Sequence, residues 1–530
     1  NIYMTTTFGS ASVNSSNNLR QTIETTISYN KSIGRSNLAI LGGHSYEKSK
    51  YQGISASNSN FDSDVFSYFN LSAGQDLVNH PVANRVGSST TRSALASFFG
   101  RINYTYANKY LASVSARREG SSRLGSNNKW GTFPAASLGW VMSEENFMYS
   151  IPAINFLKLR VGYGVTGNMP SDDYVALAMM GVTGRVYDHT SQSWVNAYGP
   201  TQNVNKDIKW EKKGEWNIGL DITALNNRMN FTADLYKRNV TDLLYRYDVP
   251  TPPFQYESIL ANVGTSTAKG LELTLGGSPV KTNKVTWNAN FNISFNNNVI
   301  EKFSNEIYEM TYIEMGELSS GDIGGLNSTP LIRLVEGGRA GNFYLPVYEG
   351  LTDDGKWIFK DVDRDGVFNW DMDREYVGNA QPKFIAGLSS DVQYGNFNLS
   401  FSLRSVVGND VYNVSNMALG NLAVQGADNN ALVSVMTSNL NDAAVASSYY
   451  LEDGSFVKMD NLTFSYDVPF NTNYIRDLRV YLTAQNLFTL TNYTGVDPEV
   501  NMVDISNMGI ERTSFYPSVR TFTLGVTVNF

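Results

Sequence analysis

The stretch Asp361-Val-Asp363-Arg-Asp365-Gly366-Val-Phe-Asn369-Trp-Asp371-Met-Asp373 is the densest concentration of chemistry-bearing side chains in the sequence. Carboxylates at its first, third and fifth positions, with glycine at the sixth for a tight turn, match the first half of a calcium loop. Asn369 stands at the ninth position, where a ligand binds directly or through water. The twelfth, where a bidentate acid belongs, is Met372, flanked by Asp371 and Asp373. All of these donors are hard oxygens, so calcium is the ion the pattern would take. The plainer alternative is a solvated acidic turn. Asp361, Asp363, Asp365, Asn369, Asp371 and Asp373 are the candidate ligands, and no other cofactor is expected.

Catalysis finds no comparable constellation. The histidines are His44, His80 and His189, in separate segments, with no Ser/His/Asp or metal arrangement around them. The chain is therefore not read as an enzyme. A second set of candidates is aromatic: Tyr187, Trp194, Tyr198, Tyr247, Tyr256, Tyr308, Tyr312, Trp357, Tyr449, Tyr450 and Tyr493. Such rings could stack on sugars or grip peptide side chains, or they could line a membrane interface and pack loops together. Tyr187, Trp194, Tyr198, Tyr308, Tyr312, Trp357, Tyr449 and Tyr450 are the candidate substrate contacts. A net charge of −8 argues against nucleic acid as a partner.

The elements that must carry these residues are strands. Trp287-Asn-Ala-Asn-Phe-Asn-Ile-Ser-Phe295 alternates apolar with Asn or Ser at every step. In a strand this makes one apolar and one polar face, with Ala289, Phe291, Ile293 and Phe295 opposite Asn288, Asn290, Asn292 and Ser294. The pattern returns in Trp216–Ile222, Phe397–Leu403 and Phe522–Phe530. Alternation and turn signals give about 16 strands, near 18–31, 35–48, 93–106, 109–120, 131–143, 155–168, 174–190, 208–223, 228–246, 260–276, 284–298, 382–394, 397–411, 454–467, 478–490 and 518–530. Some connections are brief, as at Ser32-Ile33-Gly34, Ala107-Asn108, Asn226-Asn227, Asn283 and Gly395-Asn396. Others are long: 49–92, 191–207, 299–381, 412–453 and 491–517.

Several long loops among short turns are foreign to a compact soluble domain. They suit a transmembrane antiparallel β-barrel, with short periplasmic turns on one rim and long extracellular loops on the other. The strands should then be sequential neighbours in one wall, apolar faces toward outer-membrane lipid, ending downward with Phe530 at the periplasmic rim. Composition agrees. The chain is 42% hydrophobic with mean hydropathy −0.26, and no apolar run reaches the length of a membrane helix. Aromatics at 12%, led by 31 Tyr and 27 Phe, suit interfacial girdles. Zero Cys fits an exported protein without disulfides. No signal peptide is legible at Asn1, and residues 1–530 read as the C-terminal barrel portion of a longer polypeptide.

Several segments resemble one family. They are Ser97–Tyr104, Arg117–Gly125, Lys129–Trp140, Leu157–Asn168, Ile208–Glu211, Asn262-Val-Gly264, Lys269–Leu273, Val480–Phe488, Asp497-Pro-Glu499 and the final Phe530. In this order they are similar to the SusC/RagA TonB-dependent outer-membrane transporters of Bacteroidota, from about residue 93 to the end; residues 1–92 fit a barrel without a motif. The resemblance implies a barrel of about 22 strands with an N-terminal plug, capped by a SusD-like surface lipoprotein. It implies import of oligosaccharides or oligopeptides using energy passed from TonB. Plug, TonB box and the first strands are not seen here, so the rest of the polypeptide must supply them, because membranes do not tolerate open sheet edges. The family carries a similar acidic stretch ending in Asp-Arg, here Asp373-Arg374. Arg117, Arg118, Arg123 and Arg404 should point into the lumen or rim, toward plug carboxylates. Substrate would sit between lid and plug, against the loops near 191–207, 299–381 and 412–453. Phe530 would act as the assembly signal. The rival reading is a passive porin or adhesin barrel, whose lumen would lack a plug.

Overall fold

The computed structural model describes residues 9–530 apart from 64, 66–67, 77–85, 305–309, 319–328, 422–430, 470–473, 501, 503 and 514. Its wall is one sheet of fifteen strands in chain order: β1 (Gly9–Ile33), β2 (Ser36–Phe61), β3 (Val86–Tyr106), β4 (Tyr110–Ser121), β5 (Trp130–Val141), β6 (Ile154–Asn168), β7 (Glu211–Ala224), β8 (Met229–Asp248), β9 (Ser258–Lys281), β10 (Val285–Lys302), β11 (Phe384–Tyr394), β12 (Phe397–Val407), β13 (Phe456–Val468), β14 (Asp477–Thr491) and β15 (Thr521–Asn529). Each pairs antiparallel with its chain neighbours. The sheet is open, with β1 and β15 at its edges.

Fifteen corrects the sixteen expected. The segment 174–190 does not join the wall; Met180–Asp188 folds back on Ser193–Pro200 as a separate hairpin. A tight turn with Gln192 at φ +50 favours this local pairing, and β6 pairs directly with β7. Direction demands an odd count as well. Both β1 and β15 run toward the short-turn rim, which sixteen strands would forbid. The short turns hold the backbone that tight hairpins need: Ala107 and Asn108 both have positive φ, at +52 and +57, as a type I′ turn requires.

All long connections leave even-numbered strands and so share one rim: 62–85, 169–210, 303–383, 408–455 and 492–520. The first is shorter than the expected 49–92, because β2 and β3 continue their ladder through polar pairs such as Gln52↔Thr90 and Ser55↔Gly87. Backbone pairing needs no apolar alternation once the wall has left the hydrocarbon. At 25 and 26 residues, β1 and β2 far exceed the roughly 9–11 that span a bilayer, so the wall stands well above the membrane.

Register sorts the two faces. Ile222, Phe231, Leu275, Phe291, Leu388 and Leu403 are successive cross-strand partners in one apolar row. One residue away, Asn230, Gly276, Asn290, Ser389 and Ser402 form the matching polar row. These polar residues line a lumen-side recess of about 620 Å³. Farther round the lumen face, Arg160 bridges Asp221 at 2.8 Å and Asp234 at 3.0 Å. The ladder slips twice between β9 and β10, once at Thr265/Ser266 and once where a bulge separates Gly277 from Val280. A side chain at Gly277 would put its Cβ 2.1 Å from the Arg228 carbonyl oxygen, so only glycine fits.

This register makes a sharp prediction. Phe291→Arg near the midplane should cost about 2–4 kcal/mol of barrel stability, whereas Asn290→Arg, aimed into the lumen, should be mild. Urea unfolding in lipid vesicles measures both; equal losses would overturn the facing.

Candidate functional site

The extracellular loops are not loose. Three of them, 303–383, 408–455 and 492–520, share one hydrophobic core. Leu331, Ile332, Phe343 and Leu345 come from the first, Tyr412, Val414, Met417 and Tyr450 from the second, and Met508 and Ile510 from the third. Alternation builds it: in Ile332-Arg333-Leu334 and Phe343-Tyr344-Leu345 the apolar residues point inward while Arg333 and Tyr344 point out. Tyr312–Met315, Ile332–Val335, Asn342–Pro346 and Arg374–Asn379 form a four-stranded sheet. Asp410–Asn413 pairs antiparallel with Leu451–Asp453 and parallel with Ile510–Glu511, stitching the other two loops together.

The outer face of the four-stranded sheet is a stack of rings and cations. The Arg333 guanidinium lies 4.0 Å from the Tyr312 ring centroid and 3.8 Å from that of Tyr344. Arg374 lies 4.1 Å from Trp370 and 5.0 Å from Tyr344. Glu314 accepts from Arg333 and lies 3.0 Å from Arg374. Each cation–π contact contributes about 0.5–2 kcal/mol, more where water is excluded, so this face is rigid.

Beside it lies the acidic turn. Asp361, Asp363 and Asp373 bring carboxylate oxygens within 4.8 Å of one another. Asp361 accepts from the backbone N–H groups of Arg364 and Gly366 at 2.6 and 2.9 Å, and Arg364 and Gly366 adopt the left-handed backbone that wraps the turn. Buried Asp373 accepts from Val362 and Asn369 at 2.8 and 2.7 Å. The Asn369 N–H holds the Asp373 carboxyl below the usual range, against the opposing effect of burial. Burial and then the charges of Asp365, Asp373 and Asp361 push Asp363 up. Three converging carboxylate oxygens are hard donors of the kind calcium takes, half or fewer of the roughly 6–8 ligands it usually holds. Asp365, Asn369 and Asp371 lie outside this group of three. Asp365 accepts from Val367, Asn369 accepts from Asp371, and Asp371 faces Arg374 at 3.8 Å.

The candidate aromatics divide. Tyr187, Trp194 and Tyr198 stand exposed on the 180–200 hairpin, with Tyr187 and Trp194 edge to face at 5.8 Å. Tyr312 caps the Arg333 stack and is exposed on its free side. Trp357 and Tyr449 meet edge to face at 5.2 Å, and the Trp357 indole donates to the Ala443 carbonyl. Tyr450 is only 1% exposed and belongs to the loop core, which removes it from direct substrate contact. Tyr247 and Tyr493 are likewise buried. The Tyr256 hydroxyl donates to the Pro200 carbonyl. Tyr308 lies outside the described residues. Arg117 pairs with Glu119 at 2.8 Å and Arg123 with Asp173 at 2.6 Å. Arg118 corrects the inward expectation, because as the next residue on β4 it takes the outer face with its partner Phe98 and lies over the Trp130 ring.

Sequence reasoning missed one network altogether. Leu403 belongs to the apolar row, so Arg404 turns into the lumen, paired with Lys458 across the ladder. Arg404 donates to Glu499 at 2.6 Å and to Asp460 at 3.2 Å. Lys458, 2% exposed, donates to Glu499 and Ser518 at 2.9 Å each. The Asp497-Pro-Glu499 turn thereby seats the last extracellular loop against the inner wall. Its signal was present as the motif, but nothing local named the partner cations. Burial would raise the Glu499 carboxyl, yet hydrogen bonds from Arg404 and Lys458 outweigh it and hold it below the ordinary value.

An antiparallel wall with an apolar outer row, a polar lumen and folded loops on one rim defines a β-barrel of the bacterial outer membrane. A family model described as TonB dependent receptor-like, beta-barrel matches residues 3–487, and the chain belongs to that family. TonB-dependent receptor P3 of Formosa agariphila is 32% identical over 542 residues, covering 96% of this chain and 52% of the relative. TonB-dependent receptor SusC of Bacteroides thetaiotaomicron is 33% identical over 454 residues, covering 83% and 44%. The solved RagAB peptide transporter superposes with a TM-score of 0.80 at 24% identity, over 100% of this chain and 57% of that one, a likeness of fold. The chain thus spans about half the length of the curated relatives it matches.

The depressed Glu499 carboxyl sets a pH dependence. Its contribution is present above the unfolded carboxylate value and is lost as pH falls through the lower folded one. Protection of 492–520 from proteolysis should hold at neutral pH and fail only below the ordinary carboxylate range. Lys458→Ala, which removes the hydrogen bonds of a buried cation to Glu499 and Ser518, should cost about 1–3 kcal/mol and expose the loop at neutral pH. Limited proteolysis followed by mass spectrometry reads both.

Proposed function

We propose that this chain is the barrel wall and loop cluster of a TonB-energised outer-membrane importer of oligosaccharides or oligopeptides that works with a SusD-like surface lipoprotein. The observation that carries the reading is the shared core of loops 303–383, 408–455 and 492–520. Ordering that much chain costs about 1–2 kcal/mol per residue. A prefolded platform at the mouth suits a docking lid and a held substrate, whereas a diffusion pore gains nothing from obstructing its own entrance. Family membership and the relatives SusC and RagAB support the same reading. The wall strands that close the sheet, the plug and the contact with TonB would lie in the remainder of the polypeptide. Candidate substrate contacts are the exposed rings Tyr187, Trp194, Tyr198 and Tyr312, with the Trp357–Tyr449 pair. Substrate uptake should stop in cells lacking TonB or the lid; transport at an undiminished rate would favour a passive porin.

A calcium ion held by Asp361, Asp363 and Asp373 is a second part of the proposal, favoured by the convergence of three carboxylates beside an upward-shifted Asp363. Added calcium should raise the Tm of the purified protein, and Asp363→Asn should abolish the rise. No calcium response in the wild type would leave a capped acidic turn.

Phe530 as the assembly signal is the third part. Phe522, Leu524, Val526 and Val528 partner Ala484, Leu482, Val480 and Leu478 across the ladder, so the last strand presents one apolar face, and Phe530 is exposed just beyond it. Deleting Phe530 should lower the surface level of the folded protein; unchanged levels would sink the idea.

A further inference from the structure

A groove of about 610 Å³ opens on the bilayer-facing side of the wall, between the 225–228 and 282–284 turns of the periplasmic rim and the apolar row above them. Its walls are Leu225, Met229, Leu275, Pro279 and Phe291, and its floor is Gly277 and Ala289. The floor is deep for a reason of register. Met229, Gly277 and Ala289 are successive cross-strand partners on the outward face, one layer below Phe231, Leu275 and Phe291. At the bulge the wall can carry no side chain at Gly277, where a Cβ would strike the Arg228 carbonyl. On the next strand the outward residue is only alanine. The volume falls within the roughly 300–1,000 Å³ of ligand pockets.

The rim of this groove is basic. Arg228 lines it, fixed in place by donating to the carbonyls of Ser278 and Pro279 at 3.2 and 2.7 Å. Lys284 is exposed at the adjoining turn, while Lys281, one step from the outward Val280–Trp287 pair, takes the lumen face. Trp287, outward on β10, donates its indole N–H to the Ser390 hydroxyl at 3.0 Å and marks the interfacial level. Apolar walls inside the hydrocarbon, with cations where headgroups begin, are the complement of an anionic phospholipid.

We propose that this groove is a specific site for one anionic phospholipid of the periplasmic leaflet, its acyl chain lying over Gly277 and Ala289 and its phosphate against Arg228 and Lys284. The groove is continuous with the lipid-facing band, so the occupant reaches it by lateral diffusion alone. The site is independent of the extracellular loops and of whatever substrate they hold.

Native mass spectrometry of the intact protein, titrated in detergent with phosphatidylglycerol or phosphatidylcholine, tests it. Wild type should retain one phosphatidylglycerol in preference to phosphatidylcholine. Ala289→Phe, which fills the floor without altering charge, should remove retention of both lipids. Lys284→Ala and Arg228→Ala should each reduce the preference by about fivefold, while Lys281→Ala, on the lumen face, should leave it unchanged. Heat-modifiable migration on gels verifies that each variant is a folded barrel. Equal retention of the two lipids by wild type, or unchanged retention in Ala289→Phe, would mean annular lipid only and overturn the site.

Discussion

Inside hydrocarbon, an unpaired backbone N–H or carbonyl costs several kcal/mol, because no water is there to receive it. Everything else in this molecule follows from meeting that constraint with strands. Pairing along fifteen neighbours satisfies most of the backbone, leaving the bulges and the outer edges of β1 and β15 among the described residues. Once pairing is fixed, side chains have only two directions available, so each residue is committed to lipid or to lumen. Phe291 and Asn290 are neighbours in the chain and yet face different solvents.

The same commitment reaches the loop cluster. Arg404 and Lys458 face the lumen because Leu403 and its row face lipid, and it is their inward charge that receives Asp497-Pro-Glu499. Above the membrane the loops return to the economy of a soluble domain, with an apolar core on one side of a small sheet and a ring–cation stack on the other. The acidic turn is attached to that stack through Arg374, whose neighbour Asp373 anchors the turn by two backbone hydrogen bonds. Wall, loop core and acidic turn are therefore one mechanical unit, not a barrel with appendages.

What was legible in the sequence is what repeats along it. The facing of Trp287–Phe295, the shared rim of the long loops and the barrel itself follow from a period of two and from turn residues, both local signals. Segment 180–188 shows the limit. Its composition is that of a strand, but composition does not say which strand it pairs with, and a nearby partner at 193–200 captured it. The Tyr312–Arg333–Tyr344–Arg374–Trp370 stack and the Lys458–Glu499 pair join residues tens of positions apart in loops without any period. Long-range encounters of that kind depend on the loop core, which no short window contains. The acidic turn lies between these cases: its spacing was readable, while the direction of Asp371, drawn to Arg374, was not.

The bulge at Gly277 has a consequence for the wall as an insulator. Gly276, Gly277, Ser278 and Ala289 border both the lumen recess and the bilayer groove. At this patch the partition between water and oil is scarcely more than the backbone. The dielectric changes across little more than one backbone, and the peptide dipoles lying in that patch feel water on one side and hydrocarbon on the other. A polar side chain introduced there would short-circuit the two media, so the smallness of these residues serves the integrity of the membrane as much as the geometry of the sheet.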